Sequence, residues 1–142
     1  MATKVTKGSC ACDHVEFEFP GEPATTALCH CTDCQKWTGG AFTSNAMVPR
    51  ASFRVTKGTP KAWDTVGDSG KLNRHFFCGR CGSGLYTELE MMPDQTCVKA
   101  GALDGGAAGL GGRVDVEFYT KDRVAYLGPC CEGARQESAF GG

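Results

Sequence analysis

Cys29-His30-Cys31-Thr32-Asp33-Cys34 is the stretch on which the reading of this chain turns. Three thiols within six residues can meet on one metal ion, and thiolates select zinc. Two further clusters stand on either side of it, Cys10-Ala11-Cys12 towards the N-terminus and Cys78-Gly79-Arg80-Cys81 in the middle of the chain. Together the three clusters take seven of the ten cysteines. Seven divides into a closed four-ligand site and a three-ligand site, and a zinc with three protein ligands keeps one position open for chemistry.

The bulk properties restrict the setting. A chain of 142 residues, 41% hydrophobic and 22% charged, has the size and composition of one soluble domain with its own core. No apolar run approaches the roughly 20 residues needed to span a membrane, and MATKVTKGSC at the start lacks the apolar stretch of a secretory signal. The expectation is a cytoplasmic protein without a membrane partner. Many cysteines without a signal peptide point to a reducing compartment and metal ligation rather than to a disulfide framework, and a Cys-x-Cys pair closes only a strained disulfide ring. The formal net charge is −1. Seven metal-bound thiolates and two zinc ions would bring it to about −4. Lys and Arg are scattered, so a nucleic-acid binder that neutralises phosphates is excluded as a reading.

Outward from the clusters the pattern is mostly β. Residues 14–19 alternate strictly, with Val15, Phe17 and Phe19 on one face and His14, Glu16 and Glu18 on the other. Residues 42–48, 52–56, 61–66, 72–77, 84–89, 96–102 and 113–119 read as further strands, punctuated by Pro49 and Gly58-Thr59-Pro60. Short strands at this spacing predict a barrel or sandwich-like sheet. Residues 32–37 predict one helical turn capped by Thr32 or Asp33. Residues 105–112, GGAAGLGG, predict a flexible loop, and residues 128–142 a flexible tail. Residues 1–127 are expected to form the single domain.

Cys78-Gly79-Arg80-Cys81-Gly82 has the form of a zinc knuckle between two strands. Glycine after the second cysteine tolerates the positive φ that such a turn requires. Pairing it with Cys10 and Cys12 would clasp the N-terminus to the middle of the chain and close a long loop. A zinc-ribbon grouping of Cys31 and Cys34 with Cys78 and Cys81 is also compatible with spacing. The first grouping is preferred because Cys29, Cys31 and Cys34 form a compact local triple.

Cys29 and Cys31, two apart, are expected to share a strand face, with Cys34 closing the tripod one turn on. A zinc on three thiolates carries a net charge of −1. It is a weaker Lewis acid than one on three histidines, better suited to taking up another thiolate than to making hydroxide. Nucleobase deaminases also use cysteine-rich zinc, but they need a Glu beside the first ligand and a Pro-Cys-x-x-Cys run, both lacking here. His30 points away from its neighbours on a strand and reads as a packed or solvent-facing histidine before a proton carrier. Lys36 is either solvated or placed for an anionic substrate, and Gly39-Gly40 reads as a turn. Trp37 and Phe42 flank the triple as pocket or core aromatics, while Trp63, Phe76, Phe77, Tyr86, Phe118 and Tyr119 read as core or interface aromatics. Cys97 reads as a small buried apolar residue, and no role is assigned to Cys130-Cys131.

Gly8-Ser9-Cys10-x-Cys12, Cys29-His30-Cys31-x2-Cys34-x-Lys36-x2-Gly39-x2-Phe42 and Phe77-Cys78-x2-Cys81-Gly82 together resemble the glutathione-dependent formaldehyde-activating enzyme family, whose superfamily includes centromere protein V. Gly101-x-Leu103-Asp104 and residues 114–127 extend the likeness, which covers about residues 7–127. The resemblance implies a single-domain, tent-like antiparallel β fold with two zinc ions. It implies a structural site at Cys10, Cys12, Cys78 and Cys81 and a catalytic site at Cys29, Cys31 and Cys34. The implied activity is that of a carbon–sulfur lyase, S-(hydroxymethyl)glutathione synthase-like, with glutathione as co-substrate and formaldehyde or a glutathione adduct as its partner. His30, His75 and Lys36 are the candidates for a general acid. The alternative is a non-enzymatic binding module in which both zinc ions are structural, His30 or a neighbouring chain closing the second site.

Overall fold

Val15, Phe17 and Phe19, the apolar half of the alternating 14–19 stretch, are each at most 1% exposed, and the rest of the architecture is arranged around them. A computed structural model describes residues 4–140. Residues 1–3 and 141–142, the two ends of the expected domain and tail, lie outside the described residues.

In chain order the elements are β1 (Val5–Ser9), β2 (Glu16–Pro20), β3 (Thr25–Cys29), α1 (Thr32–Thr38), β4 (Thr43–Pro49), β5 (Arg54–Lys57), β6 (Lys61–Val66), β7 (Leu72–Phe77), β8 (Gly84–Leu89), β9 (Gln95–Lys99), β10 (Val116–Phe118) and β11 (Arg135–Gln136). A three-stranded sheet has the order β1-β2-β5, and an eight-stranded sheet the order β11-β10-β3-β4-β9-β8-β7-β6. Pairing is antiparallel except at β10, which runs parallel to both β3 and β11. The expected mostly β, single-domain, antiparallel fold is the one observed.

The core joins the two sheets. Phe17 and Phe19 of β2 meet Ala46 and Val48 of β4, Tyr86 of β8 and Val98 of β9. A run of rings crosses it, with centroids 5.4 Å apart for Phe17–Phe53, 4.6 Å for Phe53–Tyr86 and 4.4 Å for Tyr86–Phe76, spacings at which aromatic pairs attract. Successive residues of a strand face opposite ways. The large sheet therefore turns Asn45, Met47, Thr87, Cys97 and Lys99 to its other face, where they floor a cavity. One face of the sheet holds the core and the other builds the site.

The departures from expectation are local. β3 was not foreseen because Thr26, Ala27 and Leu28 are all buried between two neighbouring strands, so no alternation marks it. β1 is a polar edge strand. The strand expected over 96–102 stops at Lys99, where Ala100–Ala102 form a 3-10 turn. Within the 105–112 glycine loop, Gly106–Leu110 form another, with Gly105 and Gly111 left-handed at its ends. Trp63, grouped above with core or interface aromatics, is 62% exposed on the edge strand β6.

The segment expected as a loose tail folds back. β11 pairs Val116 with Arg135 and Glu117 with Gln136, and the Phe140 ring lies 4.8 Å from Phe118. The physical reason is Glu117, a carboxylate only 1% exposed. It takes hydrogen bonds from Gln136 Nε2 at 2.7 Å and Cys130 N at 3.0 Å, and a buried charge requires such donors.

Candidate metal centres and the adjoining cavity

Two tight turns bring four thiols together. After β1 the chain turns through Cys10, whose N–H donates to Val15 O at 3.0 Å and whose carbonyl accepts from Asp13 N at 3.1 Å. Between β7 and β8 the Cys78–Cys81 turn closes through Gly82 N to Cys78 O at 2.9 Å, with Gly82 at a φ of +80° that favours glycine. Ala11 N donates to Ser83 Oγ at 3.0 Å and ties the two turns to each other. The sulfurs of Cys10, Cys12, Cys78 and Cys81 all lie within 4.8 Å of one another. A zinc–sulfur bond of about 2.3 Å sets tetrahedral sulfurs about 3.8 Å apart, and the Cys10–Cys12 and Cys12–Cys78 separations are 3.6 and 3.7 Å. Backbone N–H groups of Val15 and Arg80 donate to Cys10 Sγ at 3.2 Å and Cys78 Sγ at 3.3 Å, contacts that orient thiolate ligands and spread their charge. This set could hold one zinc ion with all four positions filled. The ribbon-like grouping does not form.

Cys29, Cys31 and Cys34 gather separately, also within 4.8 Å, all half-buried. The local reason differs from the expected one. β3 ends at Cys29, and Cys31 is the N-cap of α1, its sulfur accepting from Cys34 N at 3.3 Å. The cysteine thus does the capping expected of Thr32 or Asp33. Cys34 is held well below the usual thiol range, chiefly because it accepts hydrogen bonds from Cys29 and Cys31, with help from the charge of Lys99 and the Thr43 hydroxyl, which donates to Cys34 Sγ at 3.3 Å. Cys29 is pushed up, because it gives its proton to Cys31 and Cys34 and is buried.

His30, between two of these cysteines, is 1% exposed and directs Nε2 to Glu117 Oε1 at 2.8 Å. Its Nδ1 has no partner among the described residues, and its ring lies 5.6 Å from Phe42. The packed reading describes it. It joins neither thiol group and does not line the cavity. Burial alone would raise the Glu117 carboxyl, but hydrogen bonds from Gln136, Cys130 N and His30, with the charge of Arg123, bring it down to about 2.

The three thiols form one wall of a cavity of about 450 Å³, within the range of small-molecule sites. Phe118, Tyr119 and Phe140 form another. Of the expected proton carriers, Lys36 is exposed on α1 and does not line the cavity. His75 does, but its Nδ1 faces Thr87 Oγ1 at 3.1 Å and its Nε2 faces Thr65 Oγ1 at 3.3 Å. Burial, then the nearby Lys99 charge, lowers it further. Trp37 stacks on His75 at 4.7 Å and wedges α1 against β7; neither it nor Phe42 lines the cavity. Cys97 is 6% exposed on the cavity floor, and burial pushes its thiol up to about 11. Cys130 and Cys131 belong to neither thiol group.

The residue missed by sequence is Lys99. Its Nζ donates to Asn45 Oδ1 at 2.7 Å, Asn45 Nδ2 donates to Thr43 Oγ1 at 3.0 Å, and Thr43 Oγ1 donates to Cys34 Sγ. The available signal was a lysine directly after Thr96-Cys97-Val98 and before Ala100, a charge in a run otherwise buried.

Against known proteins, the family model described as glutathione-dependent formaldehyde-activating enzyme matches residues 5–122. A Penicillium rubens protein provisionally named as such an enzyme is 31% identical over 81 residues. That alignment takes in 57% of this chain and only 41% of the relative, so the chain spans about two fifths of that protein's length. A crystal structure of a Rhodobacter sphaeroides protein superposes with a TM-score of 0.60 at 24% identity, covering 76% of this chain and 96% of the other, a likeness of fold. With the family model matched over most of its length and both cysteine groups assembled, the chain belongs to the glutathione-dependent formaldehyde-activating enzyme family.

Proposed function

We propose that the protein makes or breaks a carbon–sulfur bond between glutathione and a small electrophile such as formaldehyde, as an S-(hydroxymethyl)glutathione synthase-like lyase. The observation that carries this reading is the placing of three thiols on the wall of a 450 Å³ cavity, with a line of donors converging on Cys34. Zinc on Cys29, Cys31 and Cys34 would supply an exchangeable position at which a thiol is kept as thiolate, and zinc on Cys10, Cys12, Cys78 and Cys81 would hold the fold.

The chain's own residues supply the rest. Thr43 stabilises charge on Cys34. Met47, Phe118 and Phe140 give the cavity apolar walls. Asp68 and Lys121, also on its lining, offer opposite charges to the ammonium and carboxylate groups of a tripeptide thiol. The free cysteines suit a reducing, cytoplasmic setting.

The test is metal analysis combined with calorimetry. Two zinc ions per chain, heat on titration with glutathione and loss of formaldehyde in its presence are expected, and Cys34→Ser should keep the zinc of the four-thiol group and lose the second zinc, the heat and the turnover. Two zinc ions with neither heat nor turnover would replace this reading by the non-enzymatic module.

A further inference from the structure

We propose that Lys99 is the catalytic residue that receives the oxygen of the electrophile; this rests on the reading of the site as a carbon–sulfur bond-forming centre. Asn45 and Lys99 are register partners on β4 and β9, so the sheet itself sets the ammonium opposite the amide that holds it. Asn45 is 7% exposed, and its amide is fixed on the other side by Thr43 Oγ1 and by the carbonyls of Thr43 and Ala27. Lys99 is thereby a pinned cation on the cavity floor. An ammonium carries three N–H donors, and among the described residues Asn45 is the one partner of Nζ. Two donors remain for a ligand.

The other cavity groups are less suited. Both nitrogens of His75 are occupied by threonine hydroxyls. Tyr119 is raised to about 12 by burial and by the charge of Asp68, to which its phenol is hydrogen-bonded. Lys121 is exposed and sits 5.7 Å from the centre of the Tyr119 ring. Lys99 alone combines positive charge, a fixed position and a place beside the thiols.

The step balances without a further reagent. The glutathione sulfur, as thiolate, attacks the carbonyl carbon. The C–S bond forms, the C=O π bond breaks, and its electron pair goes to oxygen. A proton from Lys99 Nζ moves to that oxygen and gives the hydroxymethyl thioether. The amine left on Lys99 is recharged by the proton that the next glutathione thiol releases on binding. In reverse, Lys99 takes the hydroxyl proton as the C–S bond breaks. Fixed donors aimed at the atom where charge develops contribute most in a site closed to water.

Lys99→Met and Lys99→Arg test this. K99M should lower kcat for adduct formation about 100-fold or more, with the Kd for glutathione alone unchanged, and K99R, which keeps the charge but does not give up its proton, should recover only the part of the rate owed to charge stabilisation. A pair of unreactive thioethers gives a readout independent of turnover. The wild type should bind S-(2-hydroxyethyl)glutathione about tenfold more tightly than S-ethylglutathione, the worth of one hydrogen bond to a charged group, and K99M should bind both alike. Where K99M melts early, K99Q, which retains a partner for Asn45, takes its place. Wild-type kcat in K99M, or an undiminished preference for the hydroxyl, overturns the proposal. So does weakened glutathione binding with kcat intact, which would make Lys99 a carboxylate anchor. A wild type that neither binds glutathione nor turns over would instead defeat the functional reading, and the proposal with it.

Discussion

His30 donates its Nε2–H to Glu117 Oε1 across 2.8 Å, with both side chains 1% exposed. The residue between two site cysteines is thus anchored on the far side of the sheet from the cavity, tying the β3–α1 junction to β10. Glu117 also pairs with Arg123 at 3.3 Å, and removing one member of a buried ion pair leaves the other unsatisfied and costs about 3–5 kcal/mol. Glu117→Ala should lose stability of that order in urea unfolding. His30→Phe, which removes only one of several donors to Glu117, should lose less. Equal, small losses in both would mean that the pair does not anchor the junction.

The same carboxylate gives a pH signature. Its folded value is lowered to about 2 from an ordinary 4.5, so between these values the unfolded chain binds more protons than the folded one. Its stabilising contribution is fully present above about pH 4.5 and is lost as pH falls towards 2. Thiols and other carboxylates titrate in both the wild type and Glu117→Gln, and they cancel in the difference between the two. That difference, measured as the urea midpoint gap, should be constant above pH 5 and shrink below 4.5. A gap that does not change with pH would show that Glu117 is not held ionised by its donors.

Much of this was legible in the sequence because thiol clusters and strict alternation are local signals. Residues 14–19 announced a buried strand face, and three short cysteine runs announced two metal groups. What remained hidden depended on pairing. β3 carries no alternation because both of its faces are covered. Lys99 acquires meaning only when β9 sets it opposite Asn45, and Asn45 only when its amide reaches Thr43. Glu117 and Gln136 are unremarkable apart and become a buried network once β11 returns to β10. The capping role of Cys31 was missed for a related reason, since a thiol at a helix start is not among the usual capping side chains.

The two thiol groups should respond oppositely to substitution. Cys78 is 0% exposed and its sulfur meets Cys12 across 66 residues of chain, so a metal there closes a long loop. Structural zinc sites contribute on the order of 10 kcal/mol of folding free energy. Cys78→Ser should therefore yield an unfolded protein with no bound metal. Cys34→Ala should remain folded with one zinc ion per chain and no turnover. Circular dichroism with metal mass analysis reads both, and a folded Cys78→Ser would remove the four-thiol group from its structural role. A strong chelator should abolish the far-ultraviolet spectrum of the wild type only after the four-thiol site is emptied.

The returning C-terminal segment should matter to both stability and the cavity. Deleting residues 128–142 strips Glu117 of the donors at 2.7 and 3.0 Å from Gln136 and Cys130, leaving Arg123 and His30 to hold it. Hydrogen bonds to charged groups contribute about 1.5–3 kcal/mol each, so the truncated protein should melt well below the full chain. Gln136→Ala should account for part of that fall. Phe140→Ala leaves Glu117 untouched but opens the wall that Phe140 shares with Phe118. It should weaken glutathione binding in calorimetry while the melting temperature falls only slightly. If truncation alters neither melting nor affinity, the segment is the loose tail that its composition suggests. If Phe140→Ala loses stability as steeply as Gln136→Ala but binds normally, the ring supports the fold and not the ligand.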